Sequence, residues 1–400
     1  MTWTERRLDE LGYVSRGRSR HRPRDDASLY GGNYPFIQTG DVKHSQFYIR
    51  SYTQTYNEKG LAQSRLWSAG TLCITIAANI ADTAILSFDA CFPDSIIGFI
   101  ANPHICDVRY IKYFFDTVQT RYKQIAQGAA QDNLSLQKLL TFPILTPPLT
   151  TQQRIADILS TYDNLIDNNN RRIALLEESI HQLYKEWFVR LRFPGYESVK
   201  IVDSIPEGWE KCSMAKHIST QYGYTETAFA EAVGPKFLRG TDINKKSYID
   251  WSTVPYCRID ESLRPHFELR KHDILMIRMA DPGKIGIVER DLDAVFASYL
   301  VRLSIRTDCL LPYYLFYFLR SDWYQGFITG ASTGTTRKTA NAKLMTSVDI
   351  MLPPIILQKN FSDYIEISRK QINKLLIQNE KLKEARDLLL PRLMNGSIAV

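Results

Sequence analysis

The sequence predicts an α+β chain: two globular α/β domains joined by two long helices that pair as an intramolecular coiled coil, with the first half of the chain repeated in the second. Three observations predict this. Apolar residues recur at steps of four and three through 155–187, the same spacing returns through 361–393, and an offset of 206 residues carries one run onto the other. The expected boundaries are a first domain over 1–148, a first long helix over 149–192, a linker and second domain over 193–355, and a second long helix over 356–400.

The first helix carries Tyr162, Ile166, Asn169, Ile173, Leu176, Ile180, Leu183 and Trp187 on one seam, with Ile155 and Leu159 extending it backwards. That is the a/d pattern of a coiled coil. Pro147-Pro148 stops the preceding chain, and Thr150 or Thr151 is placed to cap the helix, with Arg154 where a capping box prefers Glu or Gln. The second seam holds Ile365, Ile372, Leu375, Asn379, Leu382, Leu389 and Leu393, led by Phe361 and including Ser368 and Arg386. Under the offset, Ile155, Leu159, Ile166, Leu176, Leu183 and Trp187 fall on Phe361, Ile365, Ile372, Leu382, Leu389 and Leu393, and the double proline falls on Pro353-Pro354. Asn169 and Asn379 are not equivalent under it, so the expectation is separate roles in register, with no need to meet.

In the first domain, Arg16, Arg18, Arg20, Arg22 and Arg24 occupy every second position of a stretch that Gly17, Ser19 and Pro23 keep from being helical. Extended, it puts five guanidinium groups on one side, a basic arm suited to a phosphate backbone. Phe36-Ile-Gln-Thr-Gly-Asp-Val reads as a strand ending in a turn, 72–76 and 84–88 as strands, and 110–124 as a helix. The second domain repeats these: Phe237-Leu-Arg-Gly-Thr-Asp-Ile at an offset of 201, Ile274-Leu-Met-Ile-Arg at 202, and 312–330 matching 110–128, also at 202. Shared scaffold with divergent residues suggests one task done twice on two different targets.

Composition narrows the class. With 44% hydrophobic and 12% aromatic residues in 400, each half can build a sizeable core. The net charge of +7 is a mild basic bias that the first long helix, with more acidic than basic residues between 150 and 190, does not supply. Six cysteines without a C-x-x-C pair read as reduced thiols of a cytoplasmic protein, and neither a signal peptide nor an apolar run near 18 residues is present. No phosphate-binding loop, dinucleotide fingerprint, amino-methyltransferase tetrad or zinc-protease spacing occurs. The nuclease pattern that Asp281, Glu289 and Arg290 suggest lacks its lysine. No catalytic or metal-ligating residue is expected.

Several strings, in this order and twice over, resemble the specificity subunits of type I restriction-modification systems. They are the paired Gly-Asp-Val and Thr-Asp-Ile segments, Asp273-Ile-Leu-Met-Ile-Arg followed by Gly283-Lys-Ile-Gly-Ile-Val, and Pro147-Pro-Leu-Thr-Thr-Gln-Gln-Arg-Ile-Ala-Asp-Ile-Leu-Ser. Tyr184-Lys-Glu-Trp-Phe and Leu388-Leu-Leu-Pro-Arg-Leu-Met-Asn-Gly complete the set. One departure is that Gln152-Gln153 fits the family's acidic-Gln pair imperfectly and Ile355-Ile-Leu-Gln-Lys fits it less.

The resemblance implies two target-recognition domains held apart by an antiparallel helix pair in a pseudo-twofold repeat, each domain reading half of a split, asymmetric site on double-stranded DNA. It implies a non-catalytic chain of bacterial or archaeal cytoplasm that joins two methyltransferase (modification) subunits and a restriction/motor subunit. S-adenosylmethionine, ATP and Mg belong on those partners, and no cofactor on this chain. The alternatives are a structural coiled-coil scaffold with two protein-binding heads, and a fused methyltransferase or nuclease with diverged motifs. DNA contacts are expected from Arg16, Arg18, Arg20, Arg22, Lys43, Asn79, Gln131, Asp132 and Asn133 in the first domain. In the second they are expected from Tyr222, Tyr224, Arg239, Arg278, Lys284, Thr333, Thr335, Thr336, Arg337 and Lys338.

Overall fold

The computed structural model describes residues 3–76, 81–127, 135–243, 246–332 and 338–400, leaving aside the side chains of 120–127 and 338. The chain forms two compact units, one from Met1–Asn168 with Lys381–Val400, the other from Asn169–Glu380. Each unit contains a globular portion and a stretch of both long helices.

The first long helix spans Leu149–Tyr184 and continues as a π-helical turn over Lys185–Val189; the second spans Ile355–Met394. The first begins at Leu149 because the Pro148 carbonyl accepts the Thr151 and Gln152 N–H groups, at 2.9 and 3.0 Å. The threonines expected to cap it therefore lie inside its first turn. The second ends at Met394, short of the expected 400, where Asn395 and Gly396 (φ +76°) turn the chain back. Glycine takes that left-handed conformation without a Cβ clash.

In the unit built from Met1–Asn168 and Lys381–Val400, a five-stranded sheet runs in the order Gly12–Arg16, Ile96–Ala101, Leu72–Thr75, Thr83–Leu86, Tyr48–Ile49. Helix Val108–Gln127 packs on it. Tyr110 and Tyr113 from that helix share a buried cluster with Ile155 and Leu159 of the first long helix and Leu393 and Met394 of the second. A second sheet contains Tyr30–Phe36, whose Phe36 pairs in parallel with Cys91.

The other unit repeats this order with Ile218–Tyr222, Leu300–Ile305, Ile274–Ile277 and Ile285–Ile287, and Lys236–Leu238 runs parallel to Ala294–Phe296. The helical counterpart differs. Where the first unit has one helix, this one has two, Pro312–Arg320 and Asp322–Ala331, divided at Ser321, whose side chain caps the second. The side-chain contacts also reset the register: the Tyr110 hydroxyl donates to the Leu145 carbonyl at 2.6 Å, and the Tyr314 hydroxyl to that of Met351. The helices therefore correspond at an offset of 204, two residues from the expected 202.

The helix seams are largely as spaced. Ile166, Asn169, Ile173, Ile180, Trp187, Ile365, Ile372, Leu375, Asn379 and Leu393 are buried, while Tyr162, Leu176, Leu183, Leu382 and Leu389 are partly so. Burying one such apolar side chain contributes about 1.5–3 kcal/mol. The helices run antiparallel, as their contacts within each unit show: Arg386 meets Asp163 in one, and Asn379 meets Asn169 in the other. The expectation of separate roles for the two asparagines is overturned, because they meet: an antiparallel pair aligns residues by their sum rather than by the repeat offset. Trp187 and Phe188 of the widened π turn, and Tyr184 just before it, all pack against Phe361.

Two buried glutamines fasten the helices to the globular portions. Gln152 donates to the Pro147 and Ile105 carbonyls at 2.9 and 3.0 Å and accepts the Asp107 N–H at 3.0 Å. Gln358 donates to the Pro353 and Cys309 carbonyls at 2.9 and 2.8 Å and accepts the Leu311 N–H at 2.9 Å. The second helix thus keeps the glutamine that its sequence had seemed to lose: Gln358 lies 206 residues beyond Gln152.

Candidate nucleic-acid interface

The two units build the same hollow from the same backbone contacts. In the first, Gly17 N–H donates to Ile96 O at 2.8 Å and Arg18 N–H to Phe92 O at 3.0 Å; in the second, Gly223 N–H donates to Leu300 O at 3.3 Å and Tyr224 N–H to Phe296 O at 2.8 Å. Both glycines are required by close approach. A Cβ at Gly17 would lie 2.4 Å from the Phe92 and Pro93 oxygens, and one at Gly223 would lie 2.3 Å from the Ala297 oxygen. The hairpins also match. Thr75 N–H donates to Asp82 O and Ala81 N–H to Thr75 O, as Ile277 N–H does to Lys284 O and Gly283 N–H to Ile277 O. Ala81 (φ +61°) and Gly283 (φ +93°) hold the same left-handed position.

Beside these contacts the first unit has a cavity of about 670 Å³ walled by Arg24, Tyr30, Phe36, Gln38, Gln54 and Ser95. The second has one of about 620 Å³ walled by Tyr224, Phe237, Arg239, Ile277, Met279 and Tyr299. Scaffold is preserved and lining is only partly so: each hollow has an arginine and aromatic side chains, to which the first adds the amides of Gln38 and Gln54 and the second adds Ile277 and Met279.

The segments expected to be turns after Phe36 and Phe237 are short helices, Thr39–His44 and the 3-10 turn Gly240–Asp242. A carboxylate stabilises each start. Gln38 N–H donates to Asp41 Oδ2 and Arg239 N–H to Asp242 Oδ2, both at 2.8 Å. The Arg239 side chain also donates to Asp242, from Nε and Nη2 at 3.0 Å each, and these bonds push the guanidinium pKa up.

The arginine series is exposed at all five positions but is not a free arm. Arg18 Nε donates to Ser64 O at 3.0 Å, Arg22 Nη1 to Ser19 O at 2.7 Å, and Arg24 forms an ion pair with Asp94 at 2.8 Å. Strand pairing ends at Arg16, so alternation no longer fixes the later side chains. Arg16 and Arg20 have no side-chain partner among the described residues. Lys43 is exposed in the last turn of Thr39–His44.

In the second unit, the Arg278 guanidinium carbon lies 4.8 Å from the Tyr222 ring centroid, and its buried Nε has no partner among the described residues. The Tyr222 hydroxyl accepts the Ala342 N–H at 3.2 Å, Tyr224 packs on Phe267, and Lys284 is half-buried. Asn79, Gln131, Asp132, Asn133, Thr333, Thr335, Thr336 and Arg337 lie outside the described residues; of Lys338 only the backbone is described, pairing with Ala280. Gln38 and Gln54 were missed in the sequence, although the offset of 201 from Gln38 to Arg239 pointed to the former.

Glu289 and Arg290 belong to structural ion pairs. Arg369, fully buried, donates to Glu289 from Nε at 2.8 Å and again from Nη2, and Arg290 pairs with Glu380 at 3.1 Å. Among the described residues no group of three His, Cys, Asp or Glu side chains could hold a metal, no helix is long and apolar enough to cross a membrane, and the six cysteines are free thiols.

A family model described as the type I restriction modification DNA specificity domain matches residues 1–178. The chain is 25% identical, over its full length and 94% of the relative's, to the type I restriction enzyme MjaIX specificity subunit of Methanocaldococcus jannaschii. The chain is therefore similar to the type I restriction-modification specificity subunits. It is also 24% identical to the type I restriction enzyme EcoBI specificity subunit of Escherichia coli, over 72% of this chain and 67% of that one. The fold is that of the S subunit of a type I restriction-modification system from M. genitalium, with a TM-score of 0.58 at 13% identity over 98% of this chain and 96% of that one. The matched family model describes a DNA specificity domain, which points residues 1–178 to DNA sequence recognition.

Proposed function

We propose that each unit reads one half of a bipartite, asymmetric site on double-stranded DNA, and that the long helices set the gap between the halves. The observation that carries this is the pair of equivalent hollows with different linings. A retained scaffold with partly exchanged wall chemistry is what two readers of different base sequences require, because hydrogen-bond donors and acceptors on the base edges differ while the backbone does not.

The helices also present apolar side chains to solvent. Leu165 is 46% exposed in one unit, and Leu175 and Ile367 are 72% and 77% exposed in the other. We assign these faces to two methyltransferase subunits, with a restriction subunit joining the assembly. S-adenosylmethionine, ATP and Mg act on those partners, and this chain supplies the address.

The test is selection of bound duplexes from a randomised pool by the full chain together with the subunits that co-purify with it. Two short defined blocks separated by an undefined gap are expected. One contiguous block contradicts the bipartite reading. No enrichment, with no salt-sensitive retention on duplex, favours the scaffold with protein-binding heads.

A further inference from the structure

We propose that positions 239 and 38, equivalent in the repeat, are the base-reading positions of the two units: Arg239 reads a guanine in one half-site and Gln38 reads an adenine in the other. The inference rests on the bipartite reading proposed above and names where it is done.

Arg239 directly follows, and Gln38 follows after one intervening residue, the strand that pairs in parallel at Phe296 or Cys91. The carboxylate three residues on fixes each backbone, and each side chain walls its unit's hollow. The chemistry at this shared position is then decided by the side chain alone.

Arg239 is held side-on. Nε and Nη2 donate to the two oxygens of Asp242, whose side chain is 5% exposed, while that of Arg239 is 38% exposed. A guanidinium carries five N–H donors in a plane. With one edge occupied, the end formed by Nη1 and the second Nη2 hydrogen has no partner among the described residues. Two parallel donors at that spacing match O6 and N7 of guanine. The carboxylate also fixes the side chain before binding, which lowers the ordering cost on association. A phosphate contact would need charge but no such orientation.

Gln38 is held by a different partner. Its Nε2 donates to Gln54 Oε1 at 2.5 Å. The amide keeps an acceptor and a second donor, the pair that N6 and N7 of adenine require. In the second unit the position of Gln54 is taken by Pro255, which offers no side-chain acceptor, and Asp242 does the holding instead.

The experiment is the pool selection with wild type, Arg239→Lys and Gln38→Ala. Lysine keeps the charge and loses the fork. We expect Arg239→Lys to lower the preference for one guanine roughly ten-fold or more, in one block only, with the other block and the salt slope unchanged. Gln38→Ala should relax one adenine in the other block. The untouched block in each variant reports that the chain is folded. A wild-type chain that selects no two-block motif overturns the bipartite reading and this assignment with it. A two-block motif that Arg239→Lys leaves unchanged, or whose weakening is uniform over all sequences, overturns this assignment alone.

Discussion

Asn169 donates from Nδ2 to Asn379 Oδ1 at 2.9 Å, and Asn379 donates in turn to Asn170 Oδ1 at 2.9 Å. Asn169 and Asn379 are buried on largely apolar seams. Any slip of one helix past the other would place an amide against an aliphatic side chain, so the pair specifies register as polar seam residues do elsewhere.

Replacing one member should therefore destabilise the chain. Asn379→Leu leaves the buried Asn169 amide unpaired, at a cost of about 1–3 kcal/mol. The double variant Asn169→Leu with Asn379→Leu restores an apolar seam and should be more stable than either single variant. Urea unfolding of the four proteins measures this, and equal stability of the single and double variants would count against a register role.

Arg369 and Asp163 stand 206 residues apart at equivalent helix positions with opposite charge. Asp163 accepts the Tyr113 hydroxyl at 2.5 Å and pairs with Arg386; Arg369 contacts the Tyr317 hydroxyl, Ser247 and Glu289. Arg369→Met strands the Glu289 carboxylate, which is 6% exposed. It should lower stability by about 3–5 kcal/mol, read as a lower unfolding midpoint in urea.

Gln152→Ala and Gln358→Ala each orphan two carbonyls and one N–H. At about 1–3 kcal/mol per buried group left without a partner, each should cost more than about 2 kcal/mol, and the two costs should be alike. Thermal unfolding of both variants checks it. A large effect at one site and none at the other would mean that the two anchors are not equivalent.

Arg16 and Arg20 are exposed and unpaired among the described residues, so their expected role is to neutralise phosphates. Replacing both by Ala should make the dependence of log affinity on log salt shallower by about 0.9 for each phosphate no longer neutralised. The selected bases should stay the same. Titration of binding at several salt concentrations measures the slope, and an unchanged slope would remove these residues from the interface.

The seams, the repeat and several strands were legible because burial imposes a period on apolar residues. What stayed hidden involves polar atoms. Gln152 and Gln358 look like ordinary surface residues, and only the three-dimensional position of the Pro147 and Pro353 carbonyls gives them a task. Arg369 lies one residue off a seam position assigned to Ser368, and it is buried because Glu289, remote in sequence, neutralises it. Alternation suggested a free arginine arm, but Ser64, Ser19 and Asp94 lie far from or across the strand pattern and draw Arg18, Arg22 and Arg24 down. The Asn169–Asn379 pair was hidden for another reason: the repeat offset describes which residues are alike, whereas antiparallel packing decides which ones touch.

Whether the helix pair spaces two reading units can be measured directly by lengthening it. Seven residues of seam pattern are inserted in both helices, between Asn168 and Asn169 and between Glu380 and Lys381, where the chain passes from one compact unit to the other. A heptad in each helix keeps the seams facing and adds about 10 Å of rise. Duplex selection should return both half-sequences unaltered, with a gap about three base pairs longer at roughly 3.4 Å per step. Recovery of the same half-sequences at the original gap would contradict the account.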